Sequence, residues 1–248
     1  MRKYLLLSIL SVFLFSCEED ETSAPTNALL NIEFKHYYES EPLQIKADNT
    51  LNYTNSSQNN WNVKSLKYYI SKIIIYKADQ TSYDVNMYKF INLSEPGAEV
   101  SNYVLKDIPD GRYVKMSFVF GIDSARNVSF GLDNTVENNS MEWPSTLGGG
   151  YHIMMMDGVY RTNQNQLSGY GIHLGKPGNQ VKLEYPIDYT AQKGSSATIS
   201  IQMNIDQWMN GLNKIDLNDG YGYIMDNDAK QLLFKQNAAS SVFSIVQK

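Results

Sequence analysis

The chain has 248 residues, 42% of them hydrophobic, and 26 acidic residues against 21 basic ones give it a formal net charge of −5 at pH 7. That balance argues against nucleic acid as a partner, because phosphate backbones are held by clustered Lys and Arg. A single cysteine excludes both a disulfide framework and a cysteine-based metal cluster.

The opening "MRKYLLLSILSVFLFSCEEDE" starts basic at Arg2 and Lys3, runs apolar from Tyr4 to Phe15 and then reaches Cys17. The run is too short and wrongly flanked for a spanning helix, and it reads as a secretory signal. Leu14-Phe15-Ser16-Cys17 resembles a bacterial lipobox, so residues 1–17 are expected to be a lipoprotein signal with Cys17 as the lipidated residue. Processing would remove two of the 21 basic residues and none of the 26 acidic ones, taking the net charge to about −7. Residues 18–29 are acidic, then small and proline-containing, without an apolar period: a flexible tether. An acidic run directly after the cysteine also resembles the surface-export signal of Bacteroidetes lipoproteins, with a plain solvated linker as the alternative. The expected location is the outer membrane, facing the periplasm or the cell surface, held by a lipid anchor.

Residues 30–248 show no second linker and no internal repeat, and are expected to form one domain. "LLNIEFKHYY" alternates, with Leu30, Ile32, Phe34, His36 and Tyr38 on one face of a half-buried strand. "SLKYYISKIIIYKA" and "RYVKMSFVFGI" are longer β-branched and aromatic runs, the second introduced by the turn "IPDG". Further strands are predicted at 150–157, 169–175, 180–189 and 197–205, and helices only near 206–217 and 227–241. The expected fold is all-β, an antiparallel β-sandwich with short C-terminal helical segments.

"GGGYHIMMMDGVY", residues 148–160, sets a histidine beside three methionines, and thioether and imidazole are ligands that favour Cu(I). Strict alternation puts His152, Met154 and Met156 on one face, and Met155 with Tyr151 and Ile153 on the other. The simpler reading is a strand buried on both faces, with methionine as core filler. His36 lies on the apolar parity of its strand, where a core histidine satisfied by a carbonyl is the plain reading. His173 has the opposite parity to Tyr170, Ile172 and Leu174 and sits between Gly171 and Gly175, where a ligand or another backbone can approach. There is no Gly-x-Ser-x-Gly, no His-Glu-x-x-His and no phosphate-cradling glycine loop, so no enzyme is expected. Asp123 and Asp133 read as turn formers, with pairing to Arg126 or binding of a cation as the alternatives.

"YYISKIIIY", "IPDGRYVKMSFVFGIDSARN", "MEWPSTLGGGY", "GIHLGKPG" and "QNAASSVFSIV" stand in an order that resembles the MbnP-like copper-binding domain family, over roughly residues 30–246. The resemblance implies a β-sandwich holding one copper ion with histidines and an oxidised tryptophan, kynurenine, made by a haem peroxidase partner. By position it implies His36 and His173 as metal ligands and Trp143 as the modified or site-lining residue. The chain departs from the pattern where Ser145 replaces a second tryptophan, where the segment before Gly150-Tyr151 is about two residues longer, and at Gly175-Lys176. His152 has no counterpart in the pattern and, with Met154 and Met156, is a secondary metal candidate. The expectation is a membrane-anchored copper-binding lipoprotein in which His36 and His173 meet at one end of the sandwich, with Trp143 closing one side. The alternative is a surface glycan-binding or adhesion lipoprotein, drawn from 18 tyrosines and three tryptophans. Placement of His36 and His173 on opposite sides of the core would overturn copper binding by that pair and turn the reading to that alternative.

Overall fold

Alternating apolar and polar residues make strands the main regular structure of the described chain, residues 28–94 and 101–248 of this computed structural model. The expected signal, Cys17 and nearly all of the expected tether lie outside the described residues. The first strands are β1 (Leu29–Tyr38), β2 (Glu41–Pro42), β3 (Tyr53–Thr54), β4 (Asn60–Trp61) and β5 (Ser65–Lys77). Next come β6 (Ser82–Asp84), β7 (Tyr88–Asn92), β8 (Ser101–Leu105), β9 (Gly111–Phe120) and the short helix α1 (Val136–Ser140). Then β10 (Met154–Arg161), β11 (Leu167–Leu174), β12 (Val181–Ala191) and β13 (Ser196–Asn204) lead to α2 (Asp206–Asn210), α3 (Asp228–Asn237) and β14 (Phe243–Gln247).

Two sheets face each other. The smaller runs β14-β13-β1-β2, with β8 also on β1; the larger runs β12-β9-β5-β10-β4-β3, with β11 on β10 and β6 and β7 on β5. Pairing between these strands is antiparallel except between β1 and β13, which run parallel from Leu29↔Ser196 to Tyr37↔Asn204; an isolated parallel bridge joins Ile45 and Val63. The all-β sandwich with short C-terminal helices is thus the observed fold, with that one parallel pair inside it.

The core lies between the inner faces. β1 contributes Leu30, Ile32 and Phe34, β10 contributes Met154 and Met156, and β11 contributes Tyr170, Ile172 and Leu174. Burying side chains of this size stabilises the fold by roughly 1.5–3 kcal/mol each. β5 keeps both parities buried by means of a bulge: its register to β9 shifts between Ser71 and Ile74, and Lys72 takes a φ of 52° there. Leu66, Tyr68 and Ile70 before the bulge, and Ile73 and Ile75 after it, all face the core.

A second, smaller apolar cluster of Tyr69, Ile122, Leu132, Met141 and Tyr151 covers part of the outer face of the larger sheet. It lies under the long connection between β9 and β10.

The predicted strand at 150–157 begins later, at Met154, because Gly148, Gly149 and Gly150 all have positive φ and the chain bends at Ile153. The predicted helix at 206–217 is only α2, which Gly211 terminates. The one at 227–241 is α3, capped by the Asn227 side chain accepting from Lys230 N, followed by a π turn at Ala238–Val242. The closing strand β14 lies outside the predicted elements.

Candidate metal centre

The connection over the outer face is held by the "GIDSARN" segment. Asn127 Oδ1 accepts from Tyr151 N at 2.8 Å, and the nearby Ser129 Oγ accepts from Gly150 N at 2.9 Å. Asp123 serves as turn former and as partner of Arg126, accepting from Ala125 N at 3.2 Å in the turn and from Arg126 Nη1 at 2.9 Å. The three glycines, with φ of +114°, +69° and +83°, reverse the chain so that Trp143 N donates to Gly150 O at 2.8 Å. Non-glycine residues rarely adopt such a run. Across this reversal, His152 N donates to Met141 O at 2.7 Å, which draws the residues around Trp143 up against His152.

Trp143 is buried, and its indole N–H donates to Leu147 O at 3.1 Å. Its six-membered ring rests on Gly175, where a Cβ would collide with it. The indole and the His152 ring meet edge to face, with centres 4.8 Å apart and planes at 72°. His152 in turn faces His173, centres 5.5 Å apart and planes at 81°.

Each histidine has one nitrogen already engaged. His152 Nδ1 lies 3.1 Å from Met141 O. A carbonyl can only accept, so Nδ1 carries the proton and Nε2 presents a lone pair. That Nε2 is buried and has no hydrogen-bond partner among the described residues. Leaving such an atom unsatisfied costs about 1–3 kcal/mol. Burial pushes the His152 pKa down to about 4, so the ring is neutral near pH 7.

His173 Nε2 donates to Asp157 Oδ1 at 2.8 Å, which leaves Nδ1 as its ligating nitrogen when the ring is neutral. Asp157 Oδ2 accepts from Ser65 Oγ at 3.1 Å. Burial pushes the Asp157 carboxyl up, but the hydrogen bond and charge of His173, helped by Ser65 and Lys67, outweigh it and hold the group below its ordinary range. The outer face of β11 around His173 is bare glycine. Gly171 N donates to Tyr221 O at 3.3 Å, and a Cβ on Gly171 would lie 3.4 Å from Gly222 O. The second backbone anticipated at this glycine-flanked strand is therefore the 221–222 segment. Beside it a surface cavity of about 280 Å³ is lined by Asp157, Gly169, Gly171, His173 and Tyr223.

His36 does not join this group. Its Nε2 lies 2.7 Å from Tyr68 OH, between the sheets. Tyr68 faces the core in register with Met154, whereas His173 pairs with Met155 and points to the outer face. The expected meeting of His36 and His173 at one end of the sandwich is not what the structure shows, because the apolar parity of β1 carries His36 inward and the opposite parity of β11 carries His173 outward. The plain reading of His36 as a satisfied core histidine is the one observed, with a hydroxyl as partner.

The expected face shared by His152, Met154 and Met156 is also not formed. The bend at Ile153 breaks the alternation, so Ile153, Met154 and Met156 all lie in the main core while His152 turns outward. Met155, expected on the far side from His152, is instead the cross-strand neighbour of His173. Sequence reasoning missed Asp157. Its outward parity on β10 matches that of His173 on β11, but the register that joins them is visible only in the folded sheet.

Among the described residues, no three His, Cys, Asp or Glu side chains gather into a set that could enclose an ion by themselves. Fold and side chains together define a β-sandwich carrying a two-histidine candidate centre on its outer face, walled by a buried tryptophan. The family model of MbnP matches residues 27–226, and the chain belongs to that family. Among solved structures, MbnP from Methylosinus trichosporium is similar over 88% of this chain and 98% of its own, with a TM-score of 0.55 and 11% sequence identity, a likeness of fold. No curated protein matches the chain.

Proposed function

We propose that the chain is a copper-binding lipoprotein, anchored to the outer membrane through Cys17, that holds its ion between His152 and His173. The observation that carries this reading is the buried, partnerless Nε2 of His152 with a second imidazole facing it 5.5 Å away, centre to centre. An imidazole nitrogen sits about 2 Å from its metal, which puts the ring centre about 3 Å away and allows two rings on one ion to be as much as about 6 Å apart. The other nitrogen of each ring donates to a carbonyl or a carboxylate, the arrangement that fixes tautomer and orientation in histidine metal sites. The residues therefore fit the group, and bound copper would supply one-electron redox chemistry there.

The separation of His36 from His173 takes away the ligand pair that the resemblance implied, so in this chain copper rests on His152 in place of His36. Membership of the MbnP family supports copper as the metal. Trp143 forms the wall of the site. Its indole nitrogen is a donor already spent on Leu147 O, so it offers no lone pair unless the ring is oxidised, which is the role proposed for a haem peroxidase partner. The glycan-binding alternative finds little to stand on: Phe130 and Tyr223 are the exposed aromatic side chains among the described residues, and they line different cavities.

Copper titration of wild type, His152→Ala, His173→Ala and His36→Gln tests the reading. The first two variants should lose about 100-fold or more in affinity, at least the upper end of what losing an outer-shell partner of a ligating histidine costs, and His36→Gln should bind as wild type does. Retention of wild-type affinity by both His152→Ala and His173→Ala would overturn it.

A further inference from the structure

The two imidazoles leave the centre short of donors, and no third His, Cys, Asp or Glu among the described residues completes it. Asp157 is committed to His173 and Ser65. The remaining soft side chains beside the pair are thioethers: Met225 lines the cavity next to His173, and Met155 is paired with His173 itself. Met155 is the direct cross-strand partner of His173, and paired residues of an antiparallel ladder present their side chains on the same face with Cβ atoms about 4.5–5.5 Å apart. Met155 also packs against the outer cluster that contains Met141 and Tyr151. Met141 supplies the carbonyl that fixes the His152 tautomer, and Tyr151 directly precedes His152. Met155 thus stands between the second histidine, its cross-strand partner, and the cluster to which the residues that place the first belong. Met154 and Met156, by contrast, lie in the main core beneath the sheet.

We propose that Met155 supplies its thioether sulfur as the third donor of the His152–His173 centre, making a two-nitrogen, one-sulfur site that holds cuprous ion in preference to cupric or zinc ion. This rests on the His152–His173 reading above. Three neutral, partly soft donors in a partly buried niche suit a soft monovalent cation. Zinc is held in closed sites by four ligands, and the divalent ions gain nothing comparable from a neutral sulfur.

The test compares wild type with Met155→Leu, a swap that nearly conserves volume. Affinities are measured for Cu(I) by chelator competition under anaerobic reducing conditions, and for Cu(II) and Zn(II) by direct titration, together with X-ray absorption at the copper edge of Cu(I)-loaded wild type. The expected result is a loss of about tenfold or more in Cu(I) affinity for Met155→Leu, Cu(II) and Zn(II) affinities within about threefold of wild type, and one sulfur scatterer in the wild-type spectrum. A wild-type spectrum with nitrogen and oxygen alone, or unchanged Cu(I) affinity in the variant, overturns the thioether while leaving the histidine pair standing. Absence of copper binding in wild type overturns both. The wild-type spectrum decides the question even if the variant fails to fold.

Discussion

Replacing His152 with Asn keeps an N–H donor close to Met141 O but removes the ring's titration, which isolates the energetic consequence of burying that ring. In the metal-free protein the folded-state pKa is about 4, whereas an unfolded chain takes up the proton near 6.5. Between those values the unfolded state binds more protons than the folded state, so stability rises with pH there and is lost as pH falls from about 6.5 towards 4. Binding one extra proton in the unfolded state costs about 1.4 kcal/mol of stability for each step of one in pH, so roughly 2 kcal/mol is lost by pH 5 and roughly 3 kcal/mol by pH 4. The lowered carboxyl of Asp157 acts in a different window, because its contribution is present above its unfolded value near 3.9 and is lost only below it. Urea unfolding of both proteins in chelator-treated buffer from pH 4 to 7.5 gives the difference directly. Wild type should lose about 3 kcal/mol more than His152→Asn between pH 7 and pH 4. A difference that stays constant to within about half a kcal/mol across that range would refute a buried, neutral His152.

Gly175→Ala should destabilise the protein by about 1–3 kcal/mol, with a shifted tryptophan emission, because the new methyl group meets the Trp143 ring; unchanged urea unfolding would contradict that packing. Asn127→Ala removes the acceptor of the buried Tyr151 N–H, so a loss of about 1–3 kcal/mol in unfolding free energy is expected. Cys17→Ser should shift the protein out of the detergent phase, since stable anchoring takes acyl chains that serine at this position cannot receive; an unchanged membrane fraction would sink the lipoprotein assignment. Peptide mapping of protein from its native host should locate any oxidised tryptophan at Trp143, and oxidation at Trp61 or Trp208 instead would contradict Trp143 as the site wall.

The sandwich is legible in the sequence because its strands follow a period of two. Leu30, Ile32 and Phe34 are buried as their alternation predicts, and Tyr170, Ile172 and Leu174 face inward so that His173 faces out. The parity of His36 is equally readable, and that same parity hides it in the core against Tyr68. What cannot be read is the step at Ile153. A one-residue bend after three left-handed glycines moves His152 from the face of Met154 to the face of His173, and no periodicity carries information across a bend. The pairing of Asp157 with His173 and of Met155 with His173 depends on the β10–β11 register, which is set by the fold as a whole. The parallel β1–β13 pair escapes for the same reason, since its partners are more than 160 residues apart. Gly175 stands out in the sequence as a flank of His173 and as part of a departure from a pattern, and the structure gives it a further reason in the indole that lies upon it.

The proposed copper position is between His152 and His173, on the outer face of the larger sheet and not in the core with His36. Anomalous diffraction at the copper edge from crystals of the copper-loaded protein tests it most directly. A single peak within about 2 Å of a nitrogen of each ring, on the side of the sheet that bears Trp143 and Met155, is the predicted result. A peak beside His36 and Tyr68, or ordered rings of His152 and His173 with no peak between them, would contradict it.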